Sequence, residues 1–354
     1  MDSATAIAPR RVEPGRLLTL IDAIAGRRLL IVGDLIADEF IYGEIARVSR
    51  EAPVLILNYD STEVVPGGAG NAANNVAALG GAARIIGLTG RDETGRRLLA
   101  TLKRRRVDVK DVIRPTGYTT PTKTRILAGG IHSAKQQVVR IDRGTRRRAT
   151  PAERARVAAA ALAATASIDG VLISDYGFGL VTPRLVAAIR RAARTRTGTR
   201  PPILVDSRYE LARYTGLTAA TPNEAEAEAL AGESIGDDVR ALERVGRRLL
   251  EATRMGALLV TRGSRGMALF ERGQATRHIP IFGSDEIADV TGAGDTVIAT
   301  MTLAMAAGAS AYDAAQLANI AGGIVVMKRG TATVSADELR AALAGGRTAK
   351  AGAR

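Results

Sequence analysis

The residues with the strongest chemical signature lie late in the chain, where Asp289-Val290-Thr291-Gly292-Ala293-Gly294-Asp295-Thr296 runs into an apolar helical stretch, Val297 to Ala307. Gly292, Ala293 and Gly294 let the backbone turn tightly. The helix that follows aims unpaired N–H groups and its positive dipole end at that turn, which makes an anion hole. Asp295 stands inside it, where a carboxylate can accept the proton of a hydroxyl as the hydroxyl attacks a phosphoryl group. The same Asp could instead only cap the helix.

Other clusters extend the chemistry. Pro66-Gly67-Gly68-Ala69-Gly70-Asn71 also opens a helix. With neither Gly-Lys-Ser/Thr nor GxGxxG in register, it is not a Walker A loop or a dinucleotide fingerprint. Its glycines allow backbone to approach a polyhydroxylated ligand, and Asn71 can give and take hydrogen bonds; a plain turn would read the same way. Asp34 and Asp38 could hold sugar hydroxyls, or serve as a strand-end cap and a surface ion pair. In Thr221-Pro222-Asn223-Glu224-Ala225-Glu226, Asn223 and Glu226 share one side of a first helical turn. That pair offers hard oxygens for Mg²⁺, through water, or forms a capping box. Thr261-Arg262-Gly263-Ser264-Arg265-Gly266 follows a strand and supplies a Gly-rich turn with guanidinium groups for a triphosphate tail, or a hairpin turn.

The elements that must position these residues alternate. Strand-like runs at Arg28 to Ile36, Ala83 to Leu88, Gly170 to Ser174, Pro202 to Asp206 and Ala257 to Thr261 are separated by helical patterns at 71–79, 93–105, 151–166, 183–194, 224–231 and 237–253. This predicts an α/β fold, a doubly wound and mostly parallel sheet with helices on both faces. Two insertions, about 39–59 and 119–142, contain alternating segments without a helix between them, and predict a small β lid over the C-terminal edge of the sheet. Residues 1–16 read as a flexible arm, 17–344 as the folded domain and 345–354 as a flexible tail. The uncharged stretch Thr296 to Tyr312 is too short and polar to span a bilayer and predicts a buried helix.

Composition narrows the classes. The 354 residues contain no Cys and only two His, His132 and His278, which excludes disulfides and thiolate nucleophiles, and disfavours a multi-His metal centre or a Ser-His-Asp hydrolase. Nothing points to an oxidising compartment or a signal peptide, so a cytoplasmic location is expected. A net charge of +14 invites a nucleic-acid reading, but the basic runs at 104–106, 146–148 and 190–200 lack interleaved aromatics, which make up 3% of the chain. A solvated basic surface accounts for them better than a base-stacking platform.

In this order, these pieces resemble the PfkB (ribokinase-like) family of carbohydrate kinases, from about Leu29 to Leu343. The resemblance rests on the unbroken Asp289 to Asp295 signature, the Gly67 to Asn71 cluster, Val32-Gly33-Asp34, Glu51-Ala52-Pro53-Val54, Thr122-Lys123-Thr124-Arg125, Gln136 to Asp142, Ser174-Asp175-Tyr176, Thr221-Pro222-Asn223, Leu259 to Arg262 and Lys328 to Ser335. Within the family the likeness is greatest to the kinase module of the bacterial D-glycero-β-D-manno-heptose 7-phosphate kinases. It implies ATP and Mg²⁺ as cofactors and transfer of a phosphoryl group to the anomeric oxygen of a sugar phosphate. Asp295 is then the catalytic base, Gly292, Ala293 and Gly294 the anion hole, and Asn223 with Glu226 the magnesium-organising pair. Thr261, Gly263 and Gly266 would follow the ATP phosphates, with Asn319, Gly322 and Val326 near the adenine. Asp34, Gly67, Gly68, Asn71 and Asp175 would meet the sugar, and Lys123, Arg125, Arg140 and Arg208 its phosphate.

The chain departs from the heptose kinases at three places. Asp175-Tyr176-Gly177-Phe178-Gly179 has an aromatic ring where a Lys is usual, Asp206-Ser207-Arg208 replaces Asp-Pro-Lys, and Arg50 stands where Pro is common. Loss of the cation at 178 keeps open a PfkB kinase for another hexose, pentose or sugar phosphate, and, outside the enzymes, an inactive sugar-binding regulatory protein. Two further partners are expected: a second copy of the chain, pairing through exposed lid strands, and, if the substrate is the heptose phosphate, a separate nucleotidyltransferase in the same pathway.

Overall fold

The computed structural model describes residues 14–129, 135–145, 147–283, 289–328 and 330–348. His132, Arg146, Arg329, residues 1–13 of the expected arm, 349–354 of the expected tail and 130–134 of the second insertion lie outside the described residues. Helix α1 (Pro14–Ile24) precedes β1 (Arg28–Gly33), after which β2 (Leu35–Val48) and β3 (Leu55–Gly68) leave the main sheet and α2 (Ala69–Ala78) with β4 (Ala82–Ile86) return to it. After α3 (Glu93–Arg104) comes a second excursion, β5 (Thr122–Gly129) and β6 (Gln136–Arg143). Then follow α4 (Pro151–Ala163), β7 (Gly170–Asp175), α5 (Pro183–Ala192), β8 (Ile203–Ser207), β9 (Ala219–Ala220), α6 (Glu224–Ala231), α7 (Val239–Thr253) and β10 (Ala257–Thr261). A hairpin of β11 (Met267–Glu271) and β12 (Arg277–Ile279) leads to α8 (Ala293–Ala306), α9 (Ala311–Val326) and α10 (Ala336–Thr348).

The main sheet has eight strands in the order β12-β11-β10-β9-β8-β7-β1-β4. From β4 to β10 all neighbours are parallel, and the β11–β12 hairpin is antiparallel at the far edge. Because both faces are covered, the central strands are apolar throughout rather than alternating. Along β1, Leu29 and Ile31 join the core under α1, α2, α8 and α9, while Leu30 and Val32 join the one under α4, α5 and α7. The doubly wound α/β expectation and the small second sheet are therefore both present.

That second sheet, ordered β3-β2-β5-β6, reaches beyond the expected insertions, because β2 starts at Leu35 and β3 ends only at Gly68. The run Arg28 to Ile36, expected as one strand, is split. β1 ends at Gly33, the Asp34 amide donates to the Ser174 carbonyl at 3.0 Å, and the next residue already belongs to β2. Asp34 thus sits at the point where the chain passes from one sheet to the other.

The stretch Thr296 to Tyr312, expected as one buried helix, is likewise divided. α8 stops at Ala306, and Ser310 caps a new helix, α9, by accepting from the Asp313 amide at 3.1 Å. At the ends, α1 begins at Pro14, inside the expected arm, and α10 runs to Thr348, inside the expected tail.

Candidate active site

Asp295 is the third residue of α8, and its side chain does not cap the helix. The N-cap is Gly292, at φ +79, with no side-chain cap to the first turn. A Cβ at Gly292 would strike the Asn71 amide, so both conformation and space call for glycine. The Ala293 amide turns back to the Val290 carbonyl at 3.2 Å, leaving Gly294, which is exposed, at the open mouth of the turn.

The Asp295 carboxyl is 4% exposed and held from two sides. Asn71 Nδ2 donates to Oδ2 at 2.9 Å and Tyr176 Oη donates to Oδ1 at 3.0 Å. Asn75, one turn on from Asn71, donates to the Asn71 carbonyl at 3.0 Å and to Asn71 Oδ1 at 3.2 Å, and accepts from Thr296 Oγ1 at 3.1 Å. A chain of amides thus locks the α2–α8 contact around the carboxylate. Burial pushes the Asp295 carboxyl up to about 7, against the two hydrogen bonds, which favour the charged form.

Asp34, 3% exposed, accepts from the backbone amides of Tyr176 at 2.9 Å and Phe178 at 3.3 Å. Burial, followed by the charge of Asp175, raises its carboxyl to about 7. Asp175 itself is taken up inside the protein. Its oxygens accept from Ser207 Oγ at 2.9 Å, Tyr214 Oη at 2.6 Å and the Gly177 amide at 3.0 Å, so it braces the loop that presents Tyr176.

The lid face opposite carries the expected cations in unequal states. Register places Asp38 beside Lys123, with Asp142 next, and Phe40 beside Arg125, with Arg140 next. Arg125 Nη1 bonds Asp38 Oδ1 at 2.6 Å, both side chains nearly buried, and its guanidinium lies over the Phe40 ring at 5.4 Å. That cation is neutralised by a partner rather than held free for a phosphate. Arg140 is half-exposed and forks onto Asp142 at 2.9 and 3.0 Å. Lys123 lies over the Tyr176 ring at 5.3 Å, and burial lowers its ammonium below the usual lysine range. Gly67 is held against Asp38, since a Cβ there would meet the Asp38 carboxylate, and Gly68 ends β3 as the N-cap of α2.

A second acidic group adjoins the first. Asp206, near the end of β8, is raised well above the usual carboxylate range by burial, then by Glu226 and Asp295, with Arg208 opposing. Glu226 is raised by burial as well. Asn223 and Glu226 form the capping box of α6, the Asn223 side chain accepting from the Glu226 amide at 2.9 Å and the Glu226 side chain from the Asn223 amide at 3.0 Å. Among the described residues no group of three His, Asp or Glu forms a protein cage for a metal.

Beyond α6, Thr261 bridges to Asn223 at the end of β10, and Gly263 to Gly266 form a tight turn. The guanidinium groups of that turn are already paired: Arg262 bonds Glu224 at 2.6 Å with both side chains largely buried, and Arg265 bonds Glu224 and Asp237. Asn319 and Gly322 lie one turn apart on α9, where Asn319 donates to the Pro280 carbonyl at 2.9 Å and Gly322 packs toward Val297. Further along α9, the Val326 carbonyl accepts from the Asp289 amide at 3.0 Å.

The fold therefore brings Asp34, Asn71, Lys123 and Asp295 together, with Asp206, Arg208 and Glu226 next to them. Asp38, expected to hold sugar hydroxyls, belongs to the same centre but is paired with Arg125, and Tyr176 and Asn75 join it without having had a role in the sequence reading. Tyr176 follows directly on the C-terminal end of a parallel strand, where ligands gather in such sheets, and Asn75 stands one helical turn from Asn71.

Comparison with known proteins bears on the family and the fold. Residues 28–338 match the pfkB family carbohydrate kinase. The chain is 42% identical over 311 residues, 88% of its length, to the bifunctional protein HldE of Geobacter sulfurreducens, covering 61% of that protein. It is 40% identical over 343 residues, 96% of its length, to the bifunctional protein HldE of Caulobacter vibrioides, covering 66% of that protein. The chain thus spans less than two thirds of these curated relatives. In fold it is similar to a ribokinase of Arabidopsis thaliana complexed with ribose and ATP, with a TM-score of 0.68, 18% identity and 90% of this chain covering 99% of that one. The same holds for phosphofructokinase-2 from Escherichia coli in complex with fructose-6-phosphate, with a TM-score of 0.70, 19% identity and 90% of this chain covering 99% of that one. With the family match extending across both sheets and the late glycine turn, this chain belongs to the pfkB family of carbohydrate kinases.

Proposed function

We propose that this kinase transfers the γ-phosphoryl group of ATP to the anomeric hydroxyl of D-glycero-β-D-manno-heptose 7-phosphate. The observation that carries the chemistry is the buried Asp295 carboxyl, poised near 7 beside an uncapped helix start. Asn71 and Tyr176 hold Asp295 in one orientation, and the carboxylate takes the proton of the attacking hydroxyl. The α8 start, with the Gly294 amide at its mouth, steadies the charge on the transferring group. Asp34 accepts from sugar hydroxyls, the backbone at Gly67 and Gly68 admits the ring, and Lys123 with Arg208 meets the sugar's own phosphate. Thr261, Gly263 and Gly266 follow the ATP phosphates, and the stretch of α9 from Asn319 and Gly322 to Val326 backs the base.

Mg²⁺ fits the donor set. Asp206 and Glu226 are hard oxygen ligands whose mutual repulsion has Arg208 as its cationic opponent, and a divalent ion held through water would relieve it. When bound, the ion neutralises charge on the nucleotide phosphates.

A second reading, a different sugar or sugar phosphate, is favoured by Phe178, whose amide serves Asp34 but whose ring supplies no cation. The inactive-protein reading has no support in the intact Asp295 centre. The product is then a 1,7-bisphosphate, and a separate nucleotidyltransferase would act on the sugar 1-phosphate left once a phosphatase has removed the 7-phosphate. A homodimer through the lid is supported by apolar side chains exposed along it, among them Val48 at 58%, Tyr59 at 69% and Ile141 at 49%. Among the described residues no helix is long and apolar enough to cross a membrane, and we assign the enzyme to the cytoplasm.

The test is Mg²⁺-dependent ATP consumption with a panel of heptose, hexose and pentose sugars and their terminal phosphates. The reading expects the heptose 7-phosphate to give the highest kcat/KM and a product phosphorylated at the anomeric carbon. Preference for an unphosphorylated sugar would replace the substrate while leaving the kinase chemistry; no turnover with any sugar would remove both.

A further inference from the structure

A cavity of about 380 Å³ lies beside the edge strand β3, walled by α3 and the start of the segment before α10, on residues the phosphoryl-transfer scheme does not use. Its size falls within the range of small-molecule sites. Its lining is basic. Arg97 and Arg104 stand two turns apart on one face of α3, with Ala100 and Thr101 between them, while Leu98, Leu99 and Leu102 on the other face enter the core. Arg105 follows immediately, and among the described residues the only carboxylate in the lining is the exposed Glu63.

Among the described residues none of these guanidinium groups has a carboxylate partner. Arg97 donates to the Thr62 carbonyl at 2.8 Å and Arg104 to Thr101 Oγ1 at 3.0 Å, which leaves most of their fork donors unused. An independent feature is Asn74. It is 5% exposed, lines the same cavity, and its side chain has no hydrogen-bond partner among the described residues. Its amide atoms are therefore open to the cavity, where a ligand acceptor would be their partner. Its neighbours Asn71 and Asn75 are fully engaged around Asp295 and Thr296, so α2 presents different amides to the reaction centre and to the cavity.

We propose that this cavity binds a small phosphate-bearing metabolite, apart from the phosphoryl-transfer centre. Planar guanidinium forks suit phosphate oxygens, and the Asn74 amide supplies a further donor in the wall. Thr331, which also lines the cavity and lies 3.5 Å from Asp38 Oδ2, and helix α2 connect an occupant physically to the active site.

The probe is inorganic pyrophosphate, titrated calorimetrically into the full chain. Wild type should bind it saturably, the Arg104→Gln/Arg105→Gln variant at least fivefold more weakly, and Asp295→Asn within fivefold of wild type. Both arginines are exposed at the end of α3, so an unchanged melting temperature without ligand confirms that the double variant is folded. Asn74→Asp, which sets a negative charge against the ligand, should weaken binding by the same fivefold or more. The proposal is overturned if wild type shows no saturable binding, or if the double variant binds within fivefold of wild type.

Discussion

The amide of Asn71 and the carboxylate of Asp295 are joined at 2.9 Å across two helices whose starts are both glycine turns. The same amide lies 3.3 Å from the Gly292 carbonyl, so one side chain ties the base to the N-cap of its own helix. Replacing Asn71 with Ala removes a donor that favours the charged base and frees its orientation. We expect kcat to fall on the order of 100-fold, as for loss of one preorganised donor, with the fold retained. Steady-state kinetics with circular dichroism checks this; a less than threefold change in kcat would place the anchoring of Asp295 elsewhere.

The pH profile follows from the Asp295 carboxyl near 7. The base works only when ionised, so kcat/KM should rise with pH through about 7 and level above it. Tyr176→Phe deletes the second donor, which raises the carboxyl further. The rising limb should therefore move to higher pH, with most activity recovered at about pH 9. An unmoved limb would mean that the titrating group is not Asp295.

How much of this was legible in the sequence depends on the distance between partners along the chain. The glycine turn, its helix and Asp295 are adjacent residues, and their chemistry can be read from spacing alone. The hydrogen bond between Tyr176 and Asp295 joins residues 119 apart, and the Asp38–Arg125 pair residues 87 apart, so neither exists until the two sheets are assembled. Apolar runs identified β1, β4, β7, β8 and β10 but not the two-residue β9 or the edge hairpin β11–β12, and Arg28 to Ile36 reads as unbroken because Leu35 and Ile36 are as buried in the second sheet as Val32 is in the first. Local chemistry also left choices that only packing resolves. Asp295 does not cap its helix, Asn223 and Glu226 do form a capping box, and the guanidinium groups after β10 are paired with Glu224.

Arg125 gives a prediction about stability rather than phosphate binding. Its ion pair with Asp38 is nearly buried, and removing one partner leaves a charge without compensation. Arg125→Met should cost about 3–5 kcal/mol in denaturant unfolding. Adding Asp38→Asn should restore a large part of that loss, because the stranded carboxylate is gone. Losses from the two changes that simply add would show that the pair is not coupled.

Phe178 offers a direct probe of substrate choice. Its amide already serves Asp34, so Phe178→Lys adds a cation without disturbing that backbone contact. If the sugar's terminal phosphate lies near this loop, KM for the phosphorylated sugar should drop about tenfold while kcat stays within threefold, a gain of roughly 1.4 kcal/mol in binding. An equal change for unphosphorylated sugars would show that the added charge does not meet that phosphate.

The Asp295 base is also a source of instability with a definite pH dependence. Its carboxyl titrates near 7 in the folded protein and near the ordinary aspartate value of 3.8 when unfolded. Between those values the folded state holds the extra proton, so stability falls as pH rises from about 4 to about 7 and then stays at its lower level. Asp34, raised to about 7 mainly by burial, acts in the same direction. Asp295→Asn removes one of these groups while remaining able to pair with Asn71. The variant should therefore gain a few kcal/mol relative to wild type at pH 8 and much less at pH 4.5, while losing several orders of magnitude in turnover. Urea unfolding at the two pH values, run beside activity assays, tests both halves. A variant equally stabilised at both pH values would mean that burial of the charge is not what the wild-type fold opposes.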